Sequence, residues 1–150
     1  MKTFVFEASQ FIEKSQTEVF EFFSIAGNLN LITPRHLSFD ILTPAHIKMQ
    51  VGTIIDYRMK IYGIPVRWRT EISEWDPPNR FADNQVKGPY KKWYHTHSFQ
   101  SRDNGTLMTD HVEYAVPGGF LAPLLNRLFV RRDVEKIFQY RNKKIIELFK

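Results

Sequence analysis

Apolar and polar side chains alternate along most of the chain, which is the period of a β-strand with one buried face. Between positions 37 and 116, one face of each alternating segment is apolar and the other is charged. This pattern predicts an antiparallel sheet that is solvated on one side only. Turn residues such as Gly63, Asp76–Asn79 and Asp103–Gly105 separate the segments. The predicted strands are Thr3–Ile12, Leu37–Ile41, Ile55–Ile61, Val66–Ile72, Phe81–Val86, Tyr90–Ser101 and Thr106–Val116.

Helical spacing replaces this alternation after the first strand. Ser15 and Glu18 form a capping box, in which each residue can satisfy a free backbone amide at the start of a helix. Gly27–Asn28 ends the helix, because both residues tolerate the left-handed conformation found at helix C-termini. A second, short helical turn is predicted at Leu29–Thr33.

The C-terminal part of the chain is also helical in its spacing, but its apolar residues do not stay on one face. They form two stripes that lie about half a turn apart, so a straight helix cannot present both to one sheet. A kink or break is therefore predicted between Phe129 and Asp133. The first stripe contains Leu121, Leu124, Leu125 and Leu128, and the second contains Val134, Ile137, Phe138, Ile145 and Leu148.

Together these elements predict an α+β fold in the order strand, helix, short helix, six strands and long helix. A curved, seven-stranded antiparallel sheet wrapped around the long helix would bury the apolar faces. The length of 150 residues and the 43% hydrophobic content fit one domain, residues 1–150. No apolar run approaches the roughly 18 residues of a membrane span. The first apolar run stops at Glu7, so we expect no secretory segment and a cytoplasmic location.

Composition and charge narrow the chemistry. The chain has no cysteine, which excludes disulfides, thiolate metal sites and cysteine nucleophiles. Its formal net charge is +5, and its basic residues cluster at Lys91–Lys92, Arg131–Arg132, Arg141 and Lys143–Lys144. No nucleic-acid-binding motif accompanies these clusters, so we interpret them as solvated surface and expect no nucleic-acid partner.

Several motifs in the second half of the chain resemble those of the SRPBCC superfamily. These are WDPP at 75–78, FADNQ at 81–85, GPYKKWYHTHSF at 88–99 and GTLMTDHVEY at 105–114. The superfamily includes START lipid-transfer domains, polyketide cyclase/dehydrases and the birch pollen allergen. The chain is most similar to its bacterial ligand-binding or cyclase/dehydrase-like branch. The resemblance implies the helix-grip fold, with a ligand cavity between the sheet and the long helix, but it does not select one activity.

The apolar face of the predicted sheet supplies the candidate ligand contacts. In the sixth predicted strand, the residues on the same face as Trp93 are the more apolar set and are expected to point inward. If Ser101 pairs with Thr106, His97 lies opposite Asp110, whereas a shorter loop would place it opposite the following residue. The predicted contacts are Tyr57, Met59, Trp68, Asp83, Gln85, Trp93, His95, His97, Phe99, Met108, Asp110 and Tyr114.

Five of these residues, Asp83, Gln85, His95, His97 and Asp110, would be polar groups in an apolar pocket. Left without partners, each would cost roughly 1–3 kcal/mol. They form either a closed hydrogen-bond network between strands or a group that orients a ligand. A third possibility is catalysis, in which His95 or His97 acts as an acid–base group and Asp110 or Asp83 orients it.

The same residues also raise the question of a metal. His95, His97 and one aspartate would be the minimal ligand set for catalytic zinc or ferrous iron. A two-residue histidine spacing is frequent by chance, however, and the resemblance implies no metal. We therefore predict neither a metal nor a cofactor. His36 lies near an expected cavity mouth, but a surface-loop position is the simpler interpretation.

Three functions follow from these observations. The first is non-catalytic binding of a small, largely apolar ligand that is lipid-like, polyketide-like or aromatic. The second is a cyclase/dehydratase-type reaction, for which His95, His97 and Asp110 are the candidate catalytic residues. The third is a regulatory module whose basic helix face recognises an acidic partner; that face would contain Arg131, Arg132, Arg141 and Lys143.

Overall fold

The computed structural model describes residues 1–150 and consists of seven strands and four α-helices. The strands are β1 (Phe4–Ile12), β2 (Asp40–Ile41), β3 (Ile54–Ile61), β4 (Ile64–Asp76), β5 (Arg80–Lys87), β6 (Lys92–Arg102) and β7 (Gly105–Ala115). The helices are α1 (Gln16–Phe23), α2 (Leu29–Ile32), α3 (Ala122–Leu125) and α4 (Arg131–Leu148). All strands pair antiparallel in the order β1-β7-β6-β5-β4-β3-β2. The open, curved sheet with its long C-terminal helix confirms the predicted α+β helix-grip fold.

The pairing of β6 with β7 has the register that places the central polar residues together. Ser101 pairs with Thr106, so His97 lies opposite Asp110 and Trp93 lies opposite Tyr114. This was the first of the two predicted registers. Because side chains alternate between the two faces of a strand, these residues all point to the concave side of the sheet.

Helix α1 begins where the capping box predicted. The Ser15 hydroxyl accepts a hydrogen bond of 3.2 Å from the Glu18 backbone amide. Val19, Phe20 and Phe23 of α1 are buried in a cluster that also contains residues of β5, β6, β7 and α4. This cluster closes one end of the grip, since α1 lies between the sheet and the C-terminal end of α4.

The C-terminal helix changes phase without a break, which refines the predicted kink at Phe129–Asp133. Its backbone is helical from α3 through α4, with a π-helical turn at Asn126–Val130. One wide turn of this kind advances the helix by an extra residue and rotates the face that meets the sheet. The irregular segment therefore begins three residues before the predicted window and only partly overlaps it. None of the helices combines the length and apolar character needed to cross a membrane.

The second predicted strand is much shorter than its alternation suggested. Arg35–Leu37 forms a 3₁₀ turn, and only Asp40–Ile41 pairs with β3. Ser38 separates the two parts, because its φ of 48° is incompatible with an extended strand. The prediction of a strand from Leu37 is wrong for this reason.

Candidate ligand-binding site

A cavity of about 460 Å³ lies between the concave face of the sheet and α4. Twenty of its thirty lining residues are hydrophobic, a composition typical of sites for small apolar molecules. Helix α4 covers the cavity with Val134, Ile137 and Phe138. On the sheet side, the rings of Tyr57 and Trp68 stack at a centroid distance of 5.9 Å. The cavity volume lies within the range of small-molecule sites.

Seven of the predicted ligand contacts line this cavity. They lie at alternate positions on the adjacent strands β3, β4, β5 and β6, as expected for one face of a sheet. Trp68 and Trp93 meet edge to face at 5.5 Å, which continues the aromatic wall toward β6. The seven residues are Tyr57, Met59, Trp68, Asp83, Trp93, His95 and His97.

Phe99 and Met108 also point inward but do not reach the cavity. Both are buried in the cluster formed with α1, where the Phe99 ring lies 5.3 Å from that of Phe20. Their prediction as ligand contacts is corrected, because α1 fills the space above this part of the sheet. Alternation predicted the face correctly but could not show what covers it.

Tyr114 and Gln85 likewise have partners within the protein. The fully buried Tyr114 donates its hydroxyl hydrogen to Asn126 Oδ1 at 2.7 Å, beneath the segment that precedes α4. Gln85 donates to the Tyr90 carbonyl at 2.8 Å and accepts from the Tyr90 amide at 3.1 Å. These contacts correct the prediction that the two side chains bind a ligand, since both hold neighbouring chain segments in place.

Five ionisable side chains form a polar cluster in the apolar interior: Asp83, His95, His97, Asp110 and Arg141. His95 Nε2 lies 2.8 Å from Asp110 Oδ1, and His97 Nε2 lies 2.7 Å from Asp83 Oδ2. The residues opposite one another are instead His95 with Asp83 and His97 with Asp110. Each histidine thus makes its shorter hydrogen bond to the carboxylate that lies diagonally across from it on the neighbouring strand, rather than to the one directly opposite. Asp110 is fully buried behind the histidines and does not itself line the cavity, which corrects its prediction as a ligand contact.

Arg141 is the member of the polar cluster that sequence reasoning did not place there. Its Nη2 donates to Asp110 Oδ1 at 3.2 Å and lies 3.5 Å from His97 Nδ1. The guanidinium also lies over the rings of Phe23 and Phe138, 5.2 and 5.4 Å from their centroids. With only 7% of its surface exposed, Arg141 extends from α4 into the cavity wall.

This position removes Arg141 from the predicted basic face of the helix. Arg131 is also engaged, since its guanidinium pairs with Glu135 at 3.0 Å and donates to the Val5 carbonyl at 2.7 Å. Only Arg132 and Lys143 of the four predicted residues are exposed. The prediction of a four-residue basic surface is wrong, because two of its members are bound within the protein.

Opposite charges within the polar cluster stabilise one another. Burial raises the pKa of Asp110, but the Arg141 charge and both histidine hydrogen bonds outweigh it and hold this pKa well below its usual range. Burial also raises the pKa of Asp83, but the hydrogen bond from His97 and the nearby positive charges outweigh it, so this pKa is lowered. Burial lowers the pKa of His97, but its bonds to Asp110 and Asp83 prevail and raise it. The Asp83 and Asp110 carboxylates therefore lie beside the Arg141 guanidinium and stabilise the protonated form of His97.

His95 stays neutral in this arrangement, because burial and the nearby charge of His97 lower its pKa. Its Nε2 carries the proton donated to Asp110, so Nδ1 is left with a free lone pair. Asp83 uses Oδ2 to accept from His97, and its Oδ1 has no partner. Both residues line the cavity. The polar end of the cavity therefore presents two hydrogen-bond acceptors beside the Arg141 guanidinium, which lines the same wall.

The same atoms do not make a convincing metal centre. Ligand atoms of Asp83, His95 and His97 lie within 4.8 Å of one another, a spacing that could suit a cation. Both histidine Nε2 atoms, however, are already bonded to carboxylates, and Arg141 places a positive charge beside them. A divalent ion would have to displace protons and would add charge to the cluster. The geometry favours an internal hydrogen-bond network.

One edge of the cavity reaches the surface between the β3–β4 turn and the first half of α4, where the lining residues Tyr62, Gly63 and Lys136 are exposed. We call this edge the cavity mouth. Tyr62 and Gly63 form this turn with φ values of 52° and 77°, as a two-residue type I′ hairpin requires. The Tyr62 hydroxyl donates to Asp133 Oδ2, which joins the turn to α4. His36 is both an exposed residue and part of the cavity lining.

Comparison with known protein families identifies the chain. The family described as "Polyketide cyclase / dehydrase and lipid transport" matches residues 12–139, which include every strand from β2 to β7 and the first half of α4. The chain belongs to this family. The family lies within the SRPBCC superfamily, so the resemblance inferred from the sequence motifs is confirmed.

Solved structures share the fold at low sequence identity. A major latex-like protein of Panax ginseng is 14% identical, with a TM-score of 0.71 over 98% of this chain and 97% of that chain. A protein of Chromobacterium violaceum is 12% identical, with a TM-score of 0.75 over 97% of both chains. A protein of Thermus thermophilus is 19% identical, with a TM-score of 0.69 over 97% of this chain and 99% of that one. No curated protein matches this polyketide cyclase/dehydrase-family chain.

Proposed function

We propose that this protein binds a small, largely apolar molecule, lipid-like, polyketide-like or aromatic, in the cavity between the sheet and α4. The observation that carries the proposal is a mostly apolar cavity of about 460 Å³ with a hydrogen-bonded polar cluster in its wall. A ligand of matching size would gain dispersion contacts with the apolar side chains of the wall. The lipid transport named in the family description is consistent with this proposal.

The polar end of the cavity narrows the chemistry of the ligand. His95 Nδ1 and Asp83 Oδ1 both accept hydrogen bonds, so the matching ligand group is a donor such as a hydroxyl or an amine N–H. A ligand carboxylate placed beside Asp83 would be repelled by it, whereas Arg141 on the same wall supplies the only cationic side chain of the polar end with a fixed charge. The proposed ligand is therefore an apolar molecule with a hydrogen-bond donor directed at Asp83 and His95.

Fluorescence titration with N-phenyl-1-naphthylamine, an uncharged aromatic amine, tests this proposal. The wild-type protein is expected to enhance the probe's fluorescence in a saturable manner. Met59→Trp should weaken binding about tenfold or more, because the larger side chain occupies the cavity. Val86→Trp is the matched control, since Val86 is 51% exposed on β5 and lies outside the cavity. Equal binding by all three proteins would contradict the proposal.

A second candidate function is catalysis, which the Asp110–His95 pair favours. The carboxylate accepts from Nε2 of a neutral ring that lines the cavity, and Nδ1 has no partner within the protein, as in a general base held by a carboxylate. Such a base could remove a proton from the carbon beside a carbonyl group, and the resulting imidazolium could return it to a departing hydroxyl. The sum of these steps is loss of water from a hydroxy-ketone.

Catalysis is tested by incubating the protein with β-hydroxy-ketones and following the loss of water by mass spectrometry. If His95 is the base, His95→Gln should abolish conversion while Lys143→Gln, an exposed change on α4, leaves it intact. Binding of the naphthylamine probe without conversion of any hydroxy-ketone would leave ligand binding as the function.

A further inference from the structure

The segment that leads into α4 exposes large apolar side chains to solvent. Phe120 is 91% exposed and Phe129 is 53% exposed, and three leucines between them are also uncovered. A lone exposed leucine is ordinary, but five large apolar side chains within ten residues form a patch that marks an interaction surface. We call this patch the apolar outer face; it consists of Phe120, Leu121, Leu124, Leu128 and Phe129.

The apolar outer face is not a defect in packing, because the same segment is well packed on its other side. Ala122 and Asn126 are buried, and Leu125 and Val130 pack against the cluster formed by β1, β7 and α4. The outer leucines at positions 121, 124 and 128 follow the three- and four-residue spacing of one helix face. The segment thus carries apolar residues on both its buried and its exposed sides.

The cations beside the apolar outer face have no acidic partners. Arg127, Arg132 and Lys136 are exposed and make no ion pair. The two acidic residues of this stretch are engaged, since Asp133 accepts from Tyr62 and Glu135 pairs with Arg131. Asp133 keeps its negative charge in the bond to neutral Tyr62, so positions 126–136 carry four cations against two carboxylates, a net charge of +2. A surface that complements this region is therefore negatively charged as well as apolar.

The cavity mouth lies on the same side of the molecule. Tyr62 of the β3–β4 turn lines the cavity and bonds to Asp133, which lies one helical turn after Phe129. Tyr62 and Ile64 are themselves 70% and 65% exposed. The exposed apolar residues of the turn and those of the apolar outer face therefore flank the opening.

We propose that the apolar outer face docks on the surface of an anionic lipid bilayer. Interfacial helices combine phenylalanine and leucine, which enter the acyl boundary, with arginine and lysine, which contact acidic headgroups. This stretch supplies both kinds of residue, and free cations on its flank complement negative headgroups. Docking in this orientation would bring the cavity mouth to the membrane, where a poorly water-soluble molecule could enter without crossing the solvent.

Vesicle co-sedimentation of the full-length chain tests the proposal. The protein should sediment with phosphatidylcholine vesicles that contain phosphatidylserine, and less with phosphatidylcholine alone. High salt should weaken the interaction, because it screens the contacts of Arg127, Arg132 and Lys136. The double variant Phe120→Ser/Leu124→Ser should bind about tenfold more weakly, since both side chains are exposed and their apolar contact with lipid is lost.

Ile146→Ser is the matched control, because Ile146 is 58% exposed but lies at the opposite end of α4. This variant should sediment like the wild type, and thermal unfolding should verify that all variants remain folded. Equal losses in the double variant and the control would overturn the proposal, as would failure of the wild type to bind acidic vesicles. A dimer abolished by the double variant, without vesicle binding, would instead assign the face to a second copy. Probe binding in the cavity is measured separately, so the two proposals can fail independently.

Discussion

At the scale of single residues, the most informative feature is a buried ion pair in the cavity wall. Asp110 is fully buried and depends on Arg141, which itself is 7% exposed, for its neighbouring positive charge. Two such groups lose their hydration on folding, so either one without the other is strongly unfavourable. The pair therefore holds α4 against the centre of the sheet only while it is complete.

Arg141→Met should lower the free energy of unfolding by about 3–5 kcal/mol, because it leaves the Asp110 carboxylate buried without its cation. Chemical denaturation measures this change. Lys143→Met, two residues further along the same helix but exposed, should stay within about 0.5 kcal/mol of the wild type. Equal effects of the two substitutions would contradict the buried pair.

The two histidines should respond to pH in opposite directions. The raised pKa of His97 means that its contribution is fully present below pH 6.5, its ordinary value, and is lost as the pH rises through the folded-state pKa. The lowered pKa of His95 means that the unfolded chain takes up its proton first, so stability falls as the pH drops below 6.5. Asp83 and Asp110 add a further loss of stability at strongly acidic pH, since their carboxylates are protonated there at a pKa lower than in the unfolded chain.

NMR titration of the imidazole resonances should therefore show His97 titrating above 6.5 and His95 below it. In chemical denaturation at several pH values, His97→Gln should remove the loss of stability that the wild type shows as the pH rises. The loss of stability below pH 6.5, which His95 causes, should remain. The reverse order of the two titrations would show that the hydrogen bonds of the polar cluster are assigned wrongly.

The sequence predicted most members of the polar cluster but not their pairing. His95, His97, Asp83 and Asp110 could be identified because they occupy inward positions of alternating strands. Their diagonal hydrogen bonds depend on side-chain rotation, which alternation does not determine. Arg141 lies seven residues after Val134, a spacing that puts both residues on the same helix face. It was nevertheless predicted on the surface, because arginine is usually exposed, whereas the structure buries it.

At the scale of elements, local signals predicted helix starts and strand pairs better than they predicted what covers them. The Ser15 half of the capping box and the β6–β7 register are both found. The two apolar stripes of the C-terminal helix predicted a kink or break between Phe129 and Asp133; the helix instead continues and changes phase at the π-helical turn Asn126–Val130. The turn width and the exposure of the first leucine stripe depend on tertiary packing, which no periodic pattern contains.

The β3–β4 turn offers a test at this scale. Gly63 has a φ of 77°, and a methyl group added there would meet no atom within 4 Å, so Gly63→Ala should cost only backbone strain, about 1 kcal/mol. Gly27→Ala is the matched control, since its site is equally open but has no positive φ, and it should be neutral or slightly stabilising. Denaturation curves for the two variants should differ accordingly, and identical curves would argue against the strained turn.

At the scale of the whole molecule, the fold separates its core into parts that leave a central space. One apolar cluster lies beneath α1, a second lies beneath the segment before α4, and the cavity lies between the sheet and the middle of α4. α4 spans this space with Phe138 and Arg141, which contribute an apolar and a charged contact to the same wall. The hollow is thus part of the architecture rather than a local packing fault.

Native mass spectrometry of freshly purified protein tests this central claim most directly. If the cavity is a ligand site, the wild type and Val86→Trp should carry a bound small molecule, and Met59→Trp should carry none, because its indole fills the same space. Bare chains in all three samples, together with no binding of the naphthylamine probe, would show that the space is not used. The same adduct on all three proteins would place the bound molecule outside the cavity and contradict the account.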